Sequence, residues 1–561
     1  MPHPWWKTSV VYQVYPRSFA DSDGDGVGDL PGLLGRLDHI QALGADVVWV
    51  SPFYPSPQAD NGYDVADYQD VDPLFGTLAD VDRLIAALHE RGMRLMIDIV
   101  VNHTSDAHPW FVESRGSIDS PRRDWYWWRP PRGGMALGDK GAEPTDWGSF
   151  FGGPTWEPDP ASGEYYLHLF DRRQPDLNWE NPQVRATIHE MLRWWLARGV
   201  DGFRFDVINL VSKTIHDDGT GIFVNGPRIH EFCRGMHEAA WGSDTLITVG
   251  ECPGVSVEHA RRYTDPAARE FDMVFQFEHM HVDHGPAGRF DVIPLDWVRM
   301  KQVLARWQDG LAEVGWNSLY WGNHDQPRPV SRYGDPAAYR VESAKALATV
   351  LHLQRGTPYV FQGEELGMGN YPFDSLDQLD DVESRNWARA ALAAGRAVDE
   401  VLAVVNARGR DHARTPMQWD ASPQAGFTTG TPWLPVNPDH TLVNAAAQVG
   451  DPESVFAHYQ RLIRLRRQFT VVVDGRFELL LPEHPSIVAF TRRLDDQALL
   501  VVANLSSEPA DLHLPDAVTT EFADGPVLLG SGMPPAGPGR PAKRSRLAPW
   551  EAWVISRGMP R

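Results

Sequence analysis

The spacing of the apolar residues constrains this chain more than any other feature. Short apolar runs at 10–14, 47–50 and 95–101 alternate with amphipathic stretches at 33–43 and 81–88, so strand and helix periods take turns from the start. After a break the rhythm resumes. Asn181 and Pro182 supply an N-cap and a first-turn residue, which predicts a helix running to Arg198 and stopped by Gly199. Strand-like runs follow at 200–207, 246–251, 271–277, 318–321 and 359–362, bringing the total to eight. Eight strands alternating with helices predict an α/β fold, a (β/α)8 TIM barrel, whose chemistry sits where the strands end in their following loops.

Two stretches break the repeat. Residues 104–173 are rich in Pro, Gly, Trp and Arg and too long for an ordinary βα loop, so they are read as a small inserted domain after the third strand. The barrel then takes 1–103 and 174–470, with a second insertion, 367–448, between the eighth strand and a closing helix near 453–469. From 471 to 561 the pattern alternates, as in Ile487-Val488-Ala489-Phe490, and predicts a C-terminal antiparallel β-sandwich domain. Within the first insertion, Trp125-Tyr126-Trp127-Trp128 has neither helix nor strand period and is expected to form a loop wall over a cleft.

Composition narrows the function classes. A net charge of −23 disfavours nucleic acid and anionic membranes as partners. Nowhere do about 18 consecutive apolar residues occur, and the first 19 residues hold no signal-peptide-like run, so a cytoplasmic protein with no membrane partner is expected. Cys233 and Cys252 are too few for a disulfide framework and lack zinc-site spacing; two buried thiols are expected.

The polar residues at the strand ends carry the chemistry. In the fourth strand, alternation puts Arg204 and Asp206 on one face, where a guanidinium would hold the carboxylate ionised as a nucleophile requires; a structural ion pair is the alternative. The fifth strand ends at Glu251 amid apolar neighbours, where burial and a nearby anion would raise its pKa and suit it to donate a proton. Asn323-His324-Asp325 ends the seventh strand and Asn102-His103 the third. Two carboxyls in one cleft, one ionised and one protonated, are the apparatus for splitting a glycosidic bond.

These segments also resemble a known family. Asp98-x-Val100-x-Asn102-His103, Gly202-Phe203-Arg204-Phe205-Asp206, Glu251 after a strand and Asn323-His324-Asp325 are similar, in order, to the motifs of the α-amylase superfamily of glycoside hydrolases. Gln174-Pro175-Asp176-Leu177-Asn178-Trp179 and Ala413-Arg414-Thr415-Pro416-Met417-Gln418-Trp419 resemble its oligo-1,6-glucosidase and α-glucosidase branch. The resemblance implies Asp206 as nucleophile, Glu251 as general acid/base and Asp325 as the residue gripping sugar hydroxyls. It implies that His103, His324, Arg204 and Arg414 hold a terminal glucose and that Asp60 and Tyr63 close its non-reducing end, giving exo action. Phe151 and Phe170 are read as apolar walls or as core. Val207, after the nucleophile, resembles the α-1,6-active enzymes, although α-1,4 and α-1,6 linkages both remain open.

Asp21-Ser22-Asp23-Gly24-Asp25-Gly26-Val27-Gly28-Asp29 resembles the calcium loop of this branch, with Asp21, Asp23, Asp25, Asp29 and the Val27 carbonyl as ligands of a structural ion; a solvated acidic turn is the alternative. No organic cofactor is expected. The expected activity is a retaining α-glucosidase on short α-glucosides, as a monomer or small homo-oligomer. The alternative is an α-glucosyltransferase or isomerase of the sucrose isomerase or trehalose synthase type, against which residues 326–333 lack the Arg-Leu-Asp-Arg-Asp run that sucrose isomerases carry.

Overall fold

A computed structural model describes residues 4–242, 245–531 and 545–558; the outer ends of the ranges 1–103 and 471–561 therefore lie partly outside the described residues. Eight parallel strands form the barrel: β1 Val11–Val14, β2 Val47–Val50, β3 Arg94–Ile99, β4 Gly202–Phe205, β5 Ile247–Glu251, β6 Met273–Phe275, β7 Ser318–Leu319 and β8 Thr357–Phe361. Their order is β6-β5-β4-β3-β2-β1-β8-β7, and a parallel bridge between Val274 and Asn317 joins the two ends. The strands are buried on both faces, which is why they read as continuous apolar runs. Register sets the rim level: Asp98 pairs with Arg204, Gly250 with Phe205 and Glu251 with Phe275.

Local signals set the helix ends. The Asn181 side chain accepts from the Gln183 N–H at the start of helix Pro182–Arg198, and Gly199 closes it at φ 107°, a conformation that costs glycine little. Val184, Ile188, Leu192 and Trp195 of this helix are buried.

Between β3 and β4, strands Trp128–Arg129, Trp156–Asp159 and Glu164–Leu167 form a three-stranded antiparallel sheet. Here the expectation for the Trp125–Trp128 run is corrected. All four residues are buried, Trp128 stacks on Phe111 with ring centroids 5.8 Å apart, and Trp127 Nε1 donates to the Leu177 carbonyl at 3.2 Å. With so little sheet to build on, the insertion uses its largest rings as core, and none of the four lines the barrel-end cavity described below.

Helices Val382–Ala393, Val398–Arg408 and Asp411–Arg414 follow β8. The C-terminal sheet contains β9 Arg476–Leu480, β10 Ile487–Leu494, β11 Gln497–Asn504, β12 Val527–Gly530 and β13 Ala552–Arg557, in the order β9-β10-β11-β13-β12. One face, with Phe490, Val501 and Val554, joins the main core. On the other face Leu500, Val502 and Ile555 pack with Leu512, Leu547 and Phe522, so the second layer is the ribbon Ala510–Asp511/Arg546–Leu547 and helix Asp516–Glu521. Lys301, on the barrel helix Trp297–Gly310, donates to the carbonyls of Leu481, His484 and Ile487 at 2.6–3.1 Å and ties this domain to the barrel.

Candidate active site

Arg204 of β4 is fully buried and stands among three carboxyls at the C-terminal ends of neighbouring strands. Its guanidinium lies 2.8 Å from Asp98, 2.7 Å from Asp206 and 2.6 Å from Glu251. Period-2 alternation brings Arg204 and Asp206 to one face, and the parallel register supplies the other two. Asp206 and Glu251 are held on the two terminal nitrogens of that guanidinium, Nη1 and Nη2 respectively.

One cation cannot offset the burial of three carboxyls. Burial pushes Asp206 and Asp98 up to about 6 against the pull of Arg204. Glu251 rises further, to about 7: burial drives it, Arg204 opposes it, and the charges of Asp206 and Asp325 add to it. The rise expected at Glu251 is met; at Asp206 burial outweighs the pull of Arg204, yet a value of about 6 still leaves the carboxylate ionised at neutral pH. Val207 follows Asp206 at φ 34°, a left-handed conformation unfavourable for a β-branched side chain, and its N–H donates to Glu251 Oε2 at 3.2 Å.

Asp325 sits opposite, in the loop after β7. Burial opposes its ionisation, but His324 at 3.1 Å, Arg410 at 3.1 Å and Arg414 at 2.9 Å outweigh that and hold it well below the usual range. The loop after β2 closes one end of the site. Asp60 accepts from Arg410 at 3.1 Å and from Gln174 at 3.2 Å; the Tyr63 hydroxyl donates to Asp98 at 2.9 Å, and its ring stacks on His324 with centroids 5.0 Å apart. His103 Nε2 meets the Tyr63 carbonyl at 3.0 Å.

These groups surround a cavity of about 540 Å³. Asp60, Tyr63, His103, Phe151, Phe170, Asp206, Val207, Glu251 and Asp325 line it. Arg204, His324 and Arg414 do not. They are buried against the carboxyls, Arg204 on Asp98, Asp206 and Glu251, and His324 and Arg414 on Asp325. Arg410, overlooked in the sequence, is buried as well but lines the cavity, where it bridges Asp60, Asp325 and Asp381. It lies one turn before Arg414 and outside the Ala413–Trp419 segment that singled out that residue. Phe150 was also missed; its ring stacks on Phe170 at 5.0 Å. An Arg289–Glu383 pair at 3.0 Å lines the cavity as well.

In the acidic loop, carboxylate oxygens of Asp21, Asp23 and Asp29 lie within 4.8 Å of one another. Asp25 is outside that group and accepts from the Val27 N–H at 2.7 Å. Asp29 also caps helix Leu30–Gly35. Cys233 and Cys252 are free and buried.

Residues 13–475 match the family model described as the α-amylase catalytic domain, and 477–535 match the maltogenic amylase C-terminal domain. The chain belongs to the α-amylase family. This α-amylase-family chain is 49% identical over 566 residues to the oligo-1,6-glucosidase of Halalkalibacterium halodurans, covering 99% of each. The crystal structure of Bacillus licheniformis trehalose-6-phosphate hydrolase is similar at a TM-score of 0.91 and 41% identity, covering 99% of this chain and all of that one. A trehalulose synthase variant matches at a TM-score of 0.93 and 42% identity with the same coverage. Among the described residues, no helix is long and apolar enough to cross a membrane.

Proposed function

We propose that the protein is a retaining, exo-acting α-glucosidase that releases glucose from the non-reducing end of short α-1,6- or α-1,4-linked glucosides. The observation that carries this reading is the placing of Asp206 and Glu251 on the two terminal nitrogens of the Arg204 guanidinium, in a cavity closed at one end by Asp60 and Arg410. Two carboxyls gathered on one guanidinium favour the short separation of a retaining enzyme, about 5–5.5 Å, over the roughly 6.5–9.5 Å that an inverting enzyme needs for its water. Asp206, oriented by Arg204, attacks the anomeric carbon while Glu251 protonates the departing glycosidic oxygen. Glu251 then deprotonates a water that opens the glucosyl ester, and configuration is retained overall. Asp325, kept ionised by its cations, accepts sugar hydroxyls, and Phe151 and Phe170 cover the apolar sugar face.

The isomerase alternative receives less support. After β7, the Arg328 guanidinium is spent on the carbonyls of Gln362, His412 and Ala413, and that of Arg332 on Asp283 and Met280; of residues 326–333 only Gln326 lines the cavity. Asp21, Asp23 and Asp29 are proposed to hold a structural calcium ion, because oxygens 4.8 Å apart can be spanned by a cation about 2.4 Å from each. The two free thiols suit a cytoplasmic setting.

Trapping tests the assignment. A 5-fluoroglucosyl fluoride should leave one glucosyl adduct per chain, and peptide mapping should place it on Asp206; an adduct on another residue would remove the proposed nucleophile.

A further inference from the structure

A second cavity lies at the opposite end of the barrel. It occupies about 240 Å³ among residues that precede the strands, including Trp6 before β1, Leu246 before β5, Phe271 before β6 and Trp316 before β7. About 13 Å of β5 separates it from the Glu251 end, and it shares no lining residue with the catalytic cavity.

Its lining is unlike ordinary barrel packing. Trp6, Trp241 and Trp316 face it together with Glu270, which is 3% exposed. The Trp6 indole is 6% exposed, and its Nε1–H has no acceptor among the described residues. Glu270 Oε2 is engaged by His230 at 2.8 Å, while the nearest recorded cation to Oε1 is Arg234 at 3.9 Å. Two backbone irregularities border the same space. Residues His237–Trp241 form a π-helical turn that carries Trp241, and Arg269 adopts φ 55°. Both are uncommon and tend to accompany binding sites.

The charges select the ligand class. Acidic and basic side chains nearly balance around the cavity, and Lys7 (4.8 Å) and Arg355 (4.7 Å) already lie over the Trp316 ring. An organic cation would compete with the chain's own cations for that ring, and an anion would meet Glu270 and Asp272. A neutral polyol avoids both costs: it lays C–H surface on an indole and offers hydroxyls to Trp6 Nε1 and Glu270 Oε1. We propose that this cavity is a second ligand site that takes one neutral pyranose-sized polyol. The volume accommodates one pyranose ring.

The test is saturation-transfer NMR on the full chain with D-glucose, D-galactose and myo-inositol, after the catalytic cavity has been blocked by a covalent cyclitol epoxide. Intact mass reports the block separately, so a chain that takes no adduct counts against the Asp206 assignment and not against this site. Transfer to at least one probe should persist after blocking and fall at least fivefold in Trp241→Ala and in Val314→Trp. Val314 lines the cavity and is 39% exposed, so Val314→Trp plugs it from the surface and decides the matter if Trp241→Ala does not fold. Loss of all transfer on blocking, or undiminished transfer in blocked Val314→Trp, would overturn the proposal.

Discussion

Asp21 of the acidic loop and the three carboxyls around Arg204 are the same kind of group and behave in opposite ways. Asp98, Asp206 and Glu251 are buried around one guanidinium, and their pKa values rise to about 6, 6 and 7. Asp21, only partly buried, is held below its ordinary value because hydrogen bonds from Thr428 and from the Gly24, Gly26 and Asp23 amides overcome the opposing effect of burial. The difference teaches that carboxyl count says little, and that the number of donors per carboxyl against the depth of burial decides which cluster does acid–base work. The stability consequences have opposite signs. The folded pKa of Asp21 is depressed, so it adds stability above its unfolded value that is lost as pH falls. The buried trio is raised, so it costs stability as pH climbs from the ordinary carboxylate range through about 7.

Breaking the buried cluster should produce the largest effect. Asp206→Asn should lower kcat by about 10⁴-fold or more with an unchanged melting temperature, and Glu251→Gln should do the same, except that glucosides whose leaving group needs no proton should still give a fast first step and a burst before the slow hydrolysis of the ester. Steady-state kinetics on isomaltose and an aryl glucoside, beside thermal melts, check both. Arg204→Leu should destabilise the fold by about 3–5 kcal/mol in urea, because it strands buried carboxyls, whereas Asp23→Asn in the loop should stay within about 1 kcal/mol. In wild type, kcat/KM should rise as Asp206 ionises near pH 6 and fall as Glu251 deprotonates near pH 7, so a profile flat from pH 5 to 9 would contradict the assigned pair. Val207→Thr should shift the isomaltose-to-maltose rate ratio by about tenfold toward maltose, read from initial rates. The smallest effect belongs to the loop: removing divalent cations with EDTA should lower the melting temperature by about 1 °C and leave kcat at 25 °C unchanged.

The barrel was legible because parallel strands buried on both faces leave uninterrupted apolar runs and because caps such as Asn181 and Gly199 mark helix ends locally. The site carboxyls were legible for a related reason: polar residues at the ends of apolar strands have little structural excuse. What escaped notice depends on partners distant in sequence. Arg410 and Arg414 look alike until Asp60, 350 residues away from Arg410, selects one of them. The Trp125–Trp128 run resembled a cleft wall because aromatic rings serve packing and sugar binding equally well, and only the neighbouring Phe111 and Leu177 settle their use. The raised pKa of Asp206 was missed for want of burial, which no local pattern reports.

The central claim is that Asp206 and Glu251 hydrolyse α-glucosides with retention from the non-reducing end. Time-resolved proton NMR of the enzyme with isomaltose and maltose, at low and high concentration, reads the anomer, the linkage and the acceptor together. α-Glucose should appear first and dominate at low substrate. First appearance of the β-anomer would contradict the two-step mechanism, and dominance of new disaccharides over free glucose would make the enzyme a transferase or isomerase.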